Sequence, residues 1–230
     1  MNDRAVEKKL GEIATISYGY TEKANQEIVG PHFLRITDLK VNGVDWDTVP
    51  YCQINKKEHE KHKLKTGDIV FARTGATTGK SYLVKSPPDS VCASYLIRLS
   101  LYDANVLPGF LILFFQTKLY WDIIAKGISG SAQGGFNASK LSNLSVLLPP
   151  LPEQKRIVAI LDEAFAGISL AVANAEKNLA NARELFESVL QSAIEGKFSQ
   201  ELLSEVVQGN QLVDTSDDIP LIVEKEIPFP

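Results

Sequence analysis

One stretch, residues 153–197, constrains this 230-residue chain more than any other. It contains no proline and a single internal glycine before its end, Gly167. Leu161, Phe165, Ile168, Val172, Ala175, Leu179, Ala182, Phe186, Val189 and Ala193 recur in alternating steps of four and three, the signature of a heptad seam. Upstream, Pro149-Pro150-Leu151-Pro152 stiffens the chain, and proline suits the first turn of a helix but not its middle. Glu153 puts a carboxylate where a helix N-terminus favours one, and Gly196 is placed to cap the far end. The pattern predicts one helix over 153–197 within a segment 149–198, roughly 65 Å long at 1.5 Å per residue.

A compact domain cannot bury an apolar stripe of that length, so the stripe needs another helix. The sequence has no second long heptad segment, and the partner helix is therefore expected from another chain. Leu161, Phe165, Ile168, Val172, Leu179, Phe186 and Val189 are the expected dimerisation contacts. The competing arrangement is a curved helix packed back on its own body.

The formal net charge of −4 argues against a nucleic-acid partner only until it is divided along the chain. Residues 1–160 carry a net +5 and residues 161–230 a net −9. A mildly basic body is compatible with phosphate contacts. Residues 199–230 are acidic and punctuated by prolines, and are expected to form a weakly structured tail. At 44% hydrophobic and 23% charged residues, the composition is that of an ordinary folded protein. No uninterrupted apolar run reaches the roughly 18 residues of a membrane span, and the N-terminus has no apolar signal core. The expected location is cytoplasmic, with no membrane partner.

Cys52 and Cys92 form no CxxC and are too few for a disulfide framework, so buried free thiols are expected. His59 and His62, in the charge-rich Lys56–Lys63 stretch, would share a helix face. No third ligand stands nearby, and a solvated surface is the simpler reading than a metal site.

Residues 1–148 read as a β-rich domain with short helices, which with the long helix makes an α+β chain. Strands are predicted over Leu10–Ser17, His32–Ile36, Asp68–Ala72, Ser81–Val84, Ser94–Leu99 and Leu144–Leu148. Asn42-Gly43, Thr66-Gly67-Asp68, Thr74-Gly75 and Pro87-Pro88-Asp89 supply turns between them. Leu111, Phe114, Phe115, Leu119 and Ile123 predict a helix over Pro108–Ala125, followed by a small-residue loop over 127–135.

The segment Gly67-Asp-Ile-Val-Phe-Ala-Arg-Thr-Gly-Ala-Thr-Thr-Gly-Lys-Ser81 resembles a phosphate-binding loop but is one residue short between Gly75 and Gly79. Strand-like Tyr82-Leu83-Val84 follows it, where such a loop needs a helix to supply amides and dipole. The same residues suit a hairpin tip that meets DNA. Arg73 can pair with guanine, Thr74 and Thr77 can touch base edges, Lys80 can meet phosphate, and Gly75 allows close approach. Arg35 and Thr37 alternate on one face of a strand end, where an Arg–Asp pair is the competing reading. Gln133 and Asn137 match the donor and acceptor edge of adenine, and Phe136 could stack. No HExxH, GxSxG or Cys/His pairing supports catalysis, and no metal site or bound cofactor is expected.

Five segments together resemble the specificity (S) subunit of type I restriction-modification systems. They are Leu10-Gly-Glu-Ile13; Phe33-Leu-Arg-Ile-Thr-Asp-Leu39; Leu64 to Lys80; Ala93-Ser-Tyr-Leu-Ile-Arg-Leu99; and Leu148-Pro-Pro-Leu-Pro-Glu-Gln-Lys-Arg-Ile-Val158. The resemblance spans about residues 10–198. It implies a non-catalytic subunit that reads a bipartite double-stranded DNA target and anchors two methyltransferase (M) subunits. Those partners bind S-adenosylmethionine and flip the adenine, and a restriction (R) subunit can join. The expected DNA contacts are Arg35, Thr37, Arg73, Thr74, Gly75, Thr77, Lys80, Tyr95, Gln133 and Asn137.

The family's usual chain has two recognition domains and two long helices packed antiparallel. This sequence has one of each and no internal repeat. The heptad argument and the resemblance converge on an antiparallel homodimer that reads a palindromic bipartite site. Two rivals remain: a non-enzymatic oligomerising adaptor with a β-rich protein-binding domain, and a stand-alone nuclease or hydrolase.

Overall fold

Apolar residues on both faces of Ile69–Ala72 make this segment the centre of a sheet, and all four residues are buried. The computed structural model describes residues 4–40, 43–129 and 136–195. Among the described residues are β1 (Val6–Lys9), β2 (Ala14–Tyr18), β3 (His32–Leu34), β4 (Ile69–Ala72), β5 (Ser81–Leu83), β6 (Ser90–Cys92), β7 (Leu96–Leu101) and β8 (Ser145–Leu148). The helices are α1 (Lys56–His62), α2 (Pro108–Phe114), α3 (Lys118–Ser129), α4 (Ala138–Ser142) and α5 (Leu151–Ile194).

The main sheet has the order β2-β7-β4-β5, with every neighbouring pair antiparallel. β1 pairs antiparallel with β8, and β3 pairs parallel with β6. Strand alternation sends Ile69, Phe71, Ile97 and Leu99 to one face, where they pack with Leu111, Phe115, Tyr120, Ile124 and Leu141 of α2–α4. Val70, Ala72 and Leu96 face the other way and pack with Leu34, Leu39, Val49 and Leu64. Two cores thus lie on opposite sides of one sheet, and the strand ends between them are rigid supports.

The strand expected over Leu10–Ser17 divides. Leu10–Glu12 forms a 3-10 turn that buries Leu10, and the strand proper is Ala14–Tyr18. The helix expected over Pro108–Ala125 breaks after Phe114 and restarts at Lys118. The Thr117 hydroxyl donates to the Phe114 carbonyl at 2.7 Å and accepts from the Tyr120 N–H at 3.3 Å, so it stops one helix and starts the next. α1 begins on Asn55, whose side chain accepts from the Glu58 N–H at 3.0 Å. Cys52 and Cys92 are buried free thiols, and burial pushes them up to about 11 and about 12 respectively, which leaves both unreactive at neutral pH.

The chain divides into two compact units between Phe165 and Ala166. Within the first, α5 starts on a buried polar clamp. The Gln154 amide accepts from the Leu107 N–H at 2.9 Å and donates to the carbonyls of Asn105 and Pro149 at 2.9 and 2.8 Å. In the second, α5 continues with its apolar side chains in solvent. Ile168, Leu170, Val172, Leu179 and Phe186 are all at least half exposed. One 18-residue window of α5 has a mean hydropathy of 1.6, long and apolar enough by length and composition to cross a membrane. Gly196 and the acidic segment 199–230 lie outside the described residues.

Candidate nucleic-acid interface

β4 and β5 are joined by residues 73–80, and the join is a hairpin tip. The Ala72 N–H donates to the Lys80 carbonyl at 2.9 Å, and the Gly79 N–H donates to the Ala72 carbonyl at 2.8 Å. A 3-10 turn over Gly75–Thr77 forms the apex, closed by the Thr78 hydroxyl donating to the Gly75 carbonyl at 2.7 Å. Gly79 sits at φ +90°, and a Cβ there would meet Ile124 at 2.9 Å, so the position requires glycine twice over. The buried Tyr120 hydroxyl donates to the Gly79 carbonyl at 2.6 Å and fixes the tip from below. Strand β5 follows directly at Ser81, so the segment has no phosphate-loop helix.

At the base of this tip Arg73 lies over the Tyr18 ring, 4.6 Å from its centroid, and donates to the Ser94 carbonyl at 3.4 Å. The guanidinium is half-buried and held by a cation–π contact plus one long hydrogen bond, which leaves most of its donors unused. The Arg73 N–H donates to the Tyr95 carbonyl at 3.2 Å, and the Tyr95 side chain is 63% exposed. The Arg73 carbonyl accepts from the Phe136 N–H at 3.1 Å, which brings Asn137 within one residue of the same place. Thr74 is half-buried; Gly75 and Thr77 are exposed at the apex.

Several side chains singled out from the sequence have partners of their own. Lys80 does not extend from the tip; its ammonium donates to the Leu39 carbonyl at 2.9 Å. That bond places the 35–39 turn beside the hairpin. Arg35 and Thr37 belong to this 3-10 turn region, Ile36–Asp38, and do not alternate on a strand. Arg35 makes a two-pronged pair with the buried Asp38 at 3.0 and 2.8 Å, and that hydrogen-bonded carboxylate raises the guanidinium pKa. Thr37 is exposed. The Asn137 side chain caps α4 by accepting from the Lys140 N–H at 2.8 Å, and its amide nitrogen is left for other contacts. Gln133 lies outside the described residues.

Hydrogen bonds and pairing thus gather Arg73, Thr74, Gly75, Thr77, Lys80, Tyr95, Asn137 and the Arg35–Thr37 turn at one end of the sheet. Tyr18 is the residue that sequence reasoning missed. Its hydroxyl accepts from the Ala138 N–H at 3.2 Å while its ring supports Arg73. The available signal was an aromatic ending the alternation Ala14, Ile16, Tyr18 on β2. Among the described residues no group of three His, Cys, Asp or Glu side chains is arranged to hold a metal ion.

The family model described as type I restriction modification DNA specificity domain matches residues 2–178. The EcoKI type I restriction enzyme specificity subunit of Escherichia coli K12 is 26% identical over 213 residues, covering 90% of this chain and 45% of its own length. The MjaX putative specificity subunit of Methanocaldococcus jannaschii is 27% identical over 158 residues, covering 66% and 37% respectively. The chain spans less than half the length of these curated relatives. The solved HsdS subunit from Thermoanaerobacter tengcongensis shares the fold with a TM-score of 0.61 and 21% identity over 86% of this chain and 46% of that one. A chain solved in a study of complex assembly of the type I R-M system gives 0.64, at 20% identity over 84% and 46%.

Proposed function

The chain belongs to the type I restriction modification DNA specificity family, and from that premise we propose that it reads one half of a bipartite DNA target without catalysing any reaction itself. Two copies pair antiparallel through α5, so that two recognition domains meet two half-targets related by a twofold axis. The assembly anchors methyltransferase subunits, and a restriction subunit can join them. S-adenosylmethionine is held by the methyltransferase and no cofactor by this chain. The location is the cytoplasm, alongside the DNA.

The observation that carries this reading is the tip between β4 and β5. An arginine with spare donors lies over the Tyr18 ring and is bonded through its backbone to Tyr95, next to small exposed residues that let a duplex approach. Arginine reads guanine through paired hydrogen bonds in the major groove, and threonine meets base edges or a thymine methyl. Lys80, Arg35 and Asn137 adjoin this group as supports, since each already has an intramolecular partner.

Pairing through α5 is supported by the exposed seam. Phe165, Ile168, Val172, Leu179 and Phe186 are 51–67% exposed, while Leu161 and Val189 are partly covered. Charged Asp162, Glu163, Glu176, Lys177, Arg183, Glu184 and Glu187 share the helix with them, which suits a helical partner in water better than a bilayer.

The test is titration against duplex DNA at two salt concentrations, with and without a methyltransferase subunit. The reading predicts affinity that falls steeply with salt and rises with the methyltransferase. Absence of salt-dependent binding under either condition would contradict it. Deleting the gene and mapping methylated adenines should remove one bipartite mark.

A further inference from the structure

We propose that α1 is a second nucleic-acid contact, a lysine face that takes backbone phosphates beside the bases met at the hairpin tip. The proposal rests on the hairpin being a DNA reader and adds a site with a different chemistry. The stretch Lys56–Lys65 holds five lysines and two glutamates. Its net +3 is more than half of the +5 carried by residues 1–160.

This charge is presented rather than buried. α1 docks through His59 and His62, whose side chains are only 18% and 12% exposed, and turns Lys56, Lys57 and Lys61 outward. Lys61 lies 3.6 Å from Glu58, yet its side chain is 68% exposed. Lys56, Lys57 and Lys65 have no ion-pair partner among the described residues. An exposed lysine of this kind is a point charge suited to phosphate and carries no base code.

The helix is also fixed in place. Asn55 caps its first turn. His59 Nε2 lies 3.0 Å from Asp89 Oδ1, and Lys63 pairs with the same carboxylate at 3.0 Å. Burial pushes the Asp89 carboxyl up, but Lys63 and His59 outweigh it and hold the group below the usual carboxylate range. Arg98 donates to the carbonyls of Lys61 and Lys63 at 3.3 and 3.0 Å, closing the far end. Arg98 is itself anchored 3.1 Å from the buried Asp68. A short polar helix held by this many partners is a platform, and lysines on a platform lose less freedom when they bind.

The distance to the tip suits a duplex. Lys63 is bridged to Val91, and three residues further along that chain the Ser94 carbonyl accepts from Arg73. Three residues span at most about 10 Å. One strand of B-DNA carries a phosphate for each 3.4 Å of helix axis, so that span covers at most about three phosphates. The Tyr18–Tyr20 segment runs between the two places, with Tyr18 over Arg73 and the Tyr20 ring 5.6 Å from that of His62.

The experiment compares the full chain with its Lys56→Ala/Lys57→Ala/Lys61→Ala variant. Affinity for a mixed-sequence duplex is measured across a salt series, and the preferred sequence is selected from a random duplex pool. The variant should lower the slope of log affinity against log salt by about two to three, while selecting the same sequence as the parent. The matching Lys→Arg triple, which keeps the charge, should restore the slope. If the parent binds with a sequence preference and the Ala variant leaves the slope unchanged, α1 is a solvated face and the proposal falls alone. If the parent shows no DNA binding at any salt, the hairpin reading and this one fall together.

Discussion

The two units of the chain treat their apolar residues in opposite ways. In the first, Leu10, Ile69, Phe71, Leu96, Leu99, Leu111 and Tyr120 are completely buried, and two cores close around one sheet. In the second, the aliphatic and aromatic residues of α5 stand in solvent, with Leu170 at 64% and Phe186 at 67% exposed. The recognition domain finds its partners within one chain. The α5 stripe is regular, long and uncovered. Exposure of this extent marks an interaction surface when the apolar residues form one line.

The sharpest way to break this contrast is Ile168→Glu with Leu179→Glu. Burying one such side chain is worth about 1.5–3 kcal/mol, and each counts once per copy, so the pair should remove roughly 6 kcal/mol or more of pairing. Sedimentation should report a single chain of 25.3 kDa, with thermal unfolding of the recognition domain unmoved.

Next in size, Gln154→Ala strips the partners from the Leu107 N–H and from the carbonyls of Asn105 and Pro149. Leaving such groups unsatisfied costs about 3 kcal/mol, or about 5–10 °C in unfolding midpoint. Pairing should survive; its loss would mean that the two units do not act separately.

A third substitution, Arg73→Ala, should cost about 1–3 kcal/mol of DNA binding and alter the preferred sequence, with fold and mass intact. Unchanged preference would remove Arg73 from base reading.

The smallest effect is one of pH. Burial, aided by the neighbouring charge of Lys61 and by Arg98, lowers the His62 pKa below its ordinary 6.5 against the opposing pull of Glu58. The unfolded chain therefore binds the proton more readily. The contribution is full above the unfolded value of about 6.5 and is lost as pH falls below it, through the lower value of the folded state. His62→Gln should flatten the decline in unfolding midpoint as pH is lowered from about 6.5.

How much of this was legible in the sequence depends on whether a signal was local. The β4–β5 hairpin and its glycines were legible because turns are written in adjacent residues, and α5 because its repeat persists from Leu161 to Ala193. β1 and β6 were not. Val6–Lys9 has no apolar alternation, and Ser90–Cys92 is a three-residue strand that exists through its parallel pairing with β3.

The break between α2 and α3 shows how periodicity misleads. Leu111, Phe114, Phe115, Leu119 and Ile123 fit one continuous stripe, yet Leu119 is 63% exposed and the buried residues beyond the break are Tyr120 and Ile124. The Thr117 hydroxyl shifts the register by one residue, which no windowed pattern anticipates. At the site, residue types were readable but their partners were not. That Lys80 would turn to Leu39, Asn137 cap α4 and Tyr18 support Arg73 depends on contacts between residues 41, 3 and 55 positions apart, two of which only the closed fold creates.

We infer that α5 mates with a second copy of itself. Sedimentation equilibrium of the purified chain at micromolar concentration tests it most directly. Twice the chain mass of 25.3 kDa is expected, with the Ile168→Glu/Leu179→Glu variant at the single value. A parent chain that stays at 25.3 kDa across that range would contradict it.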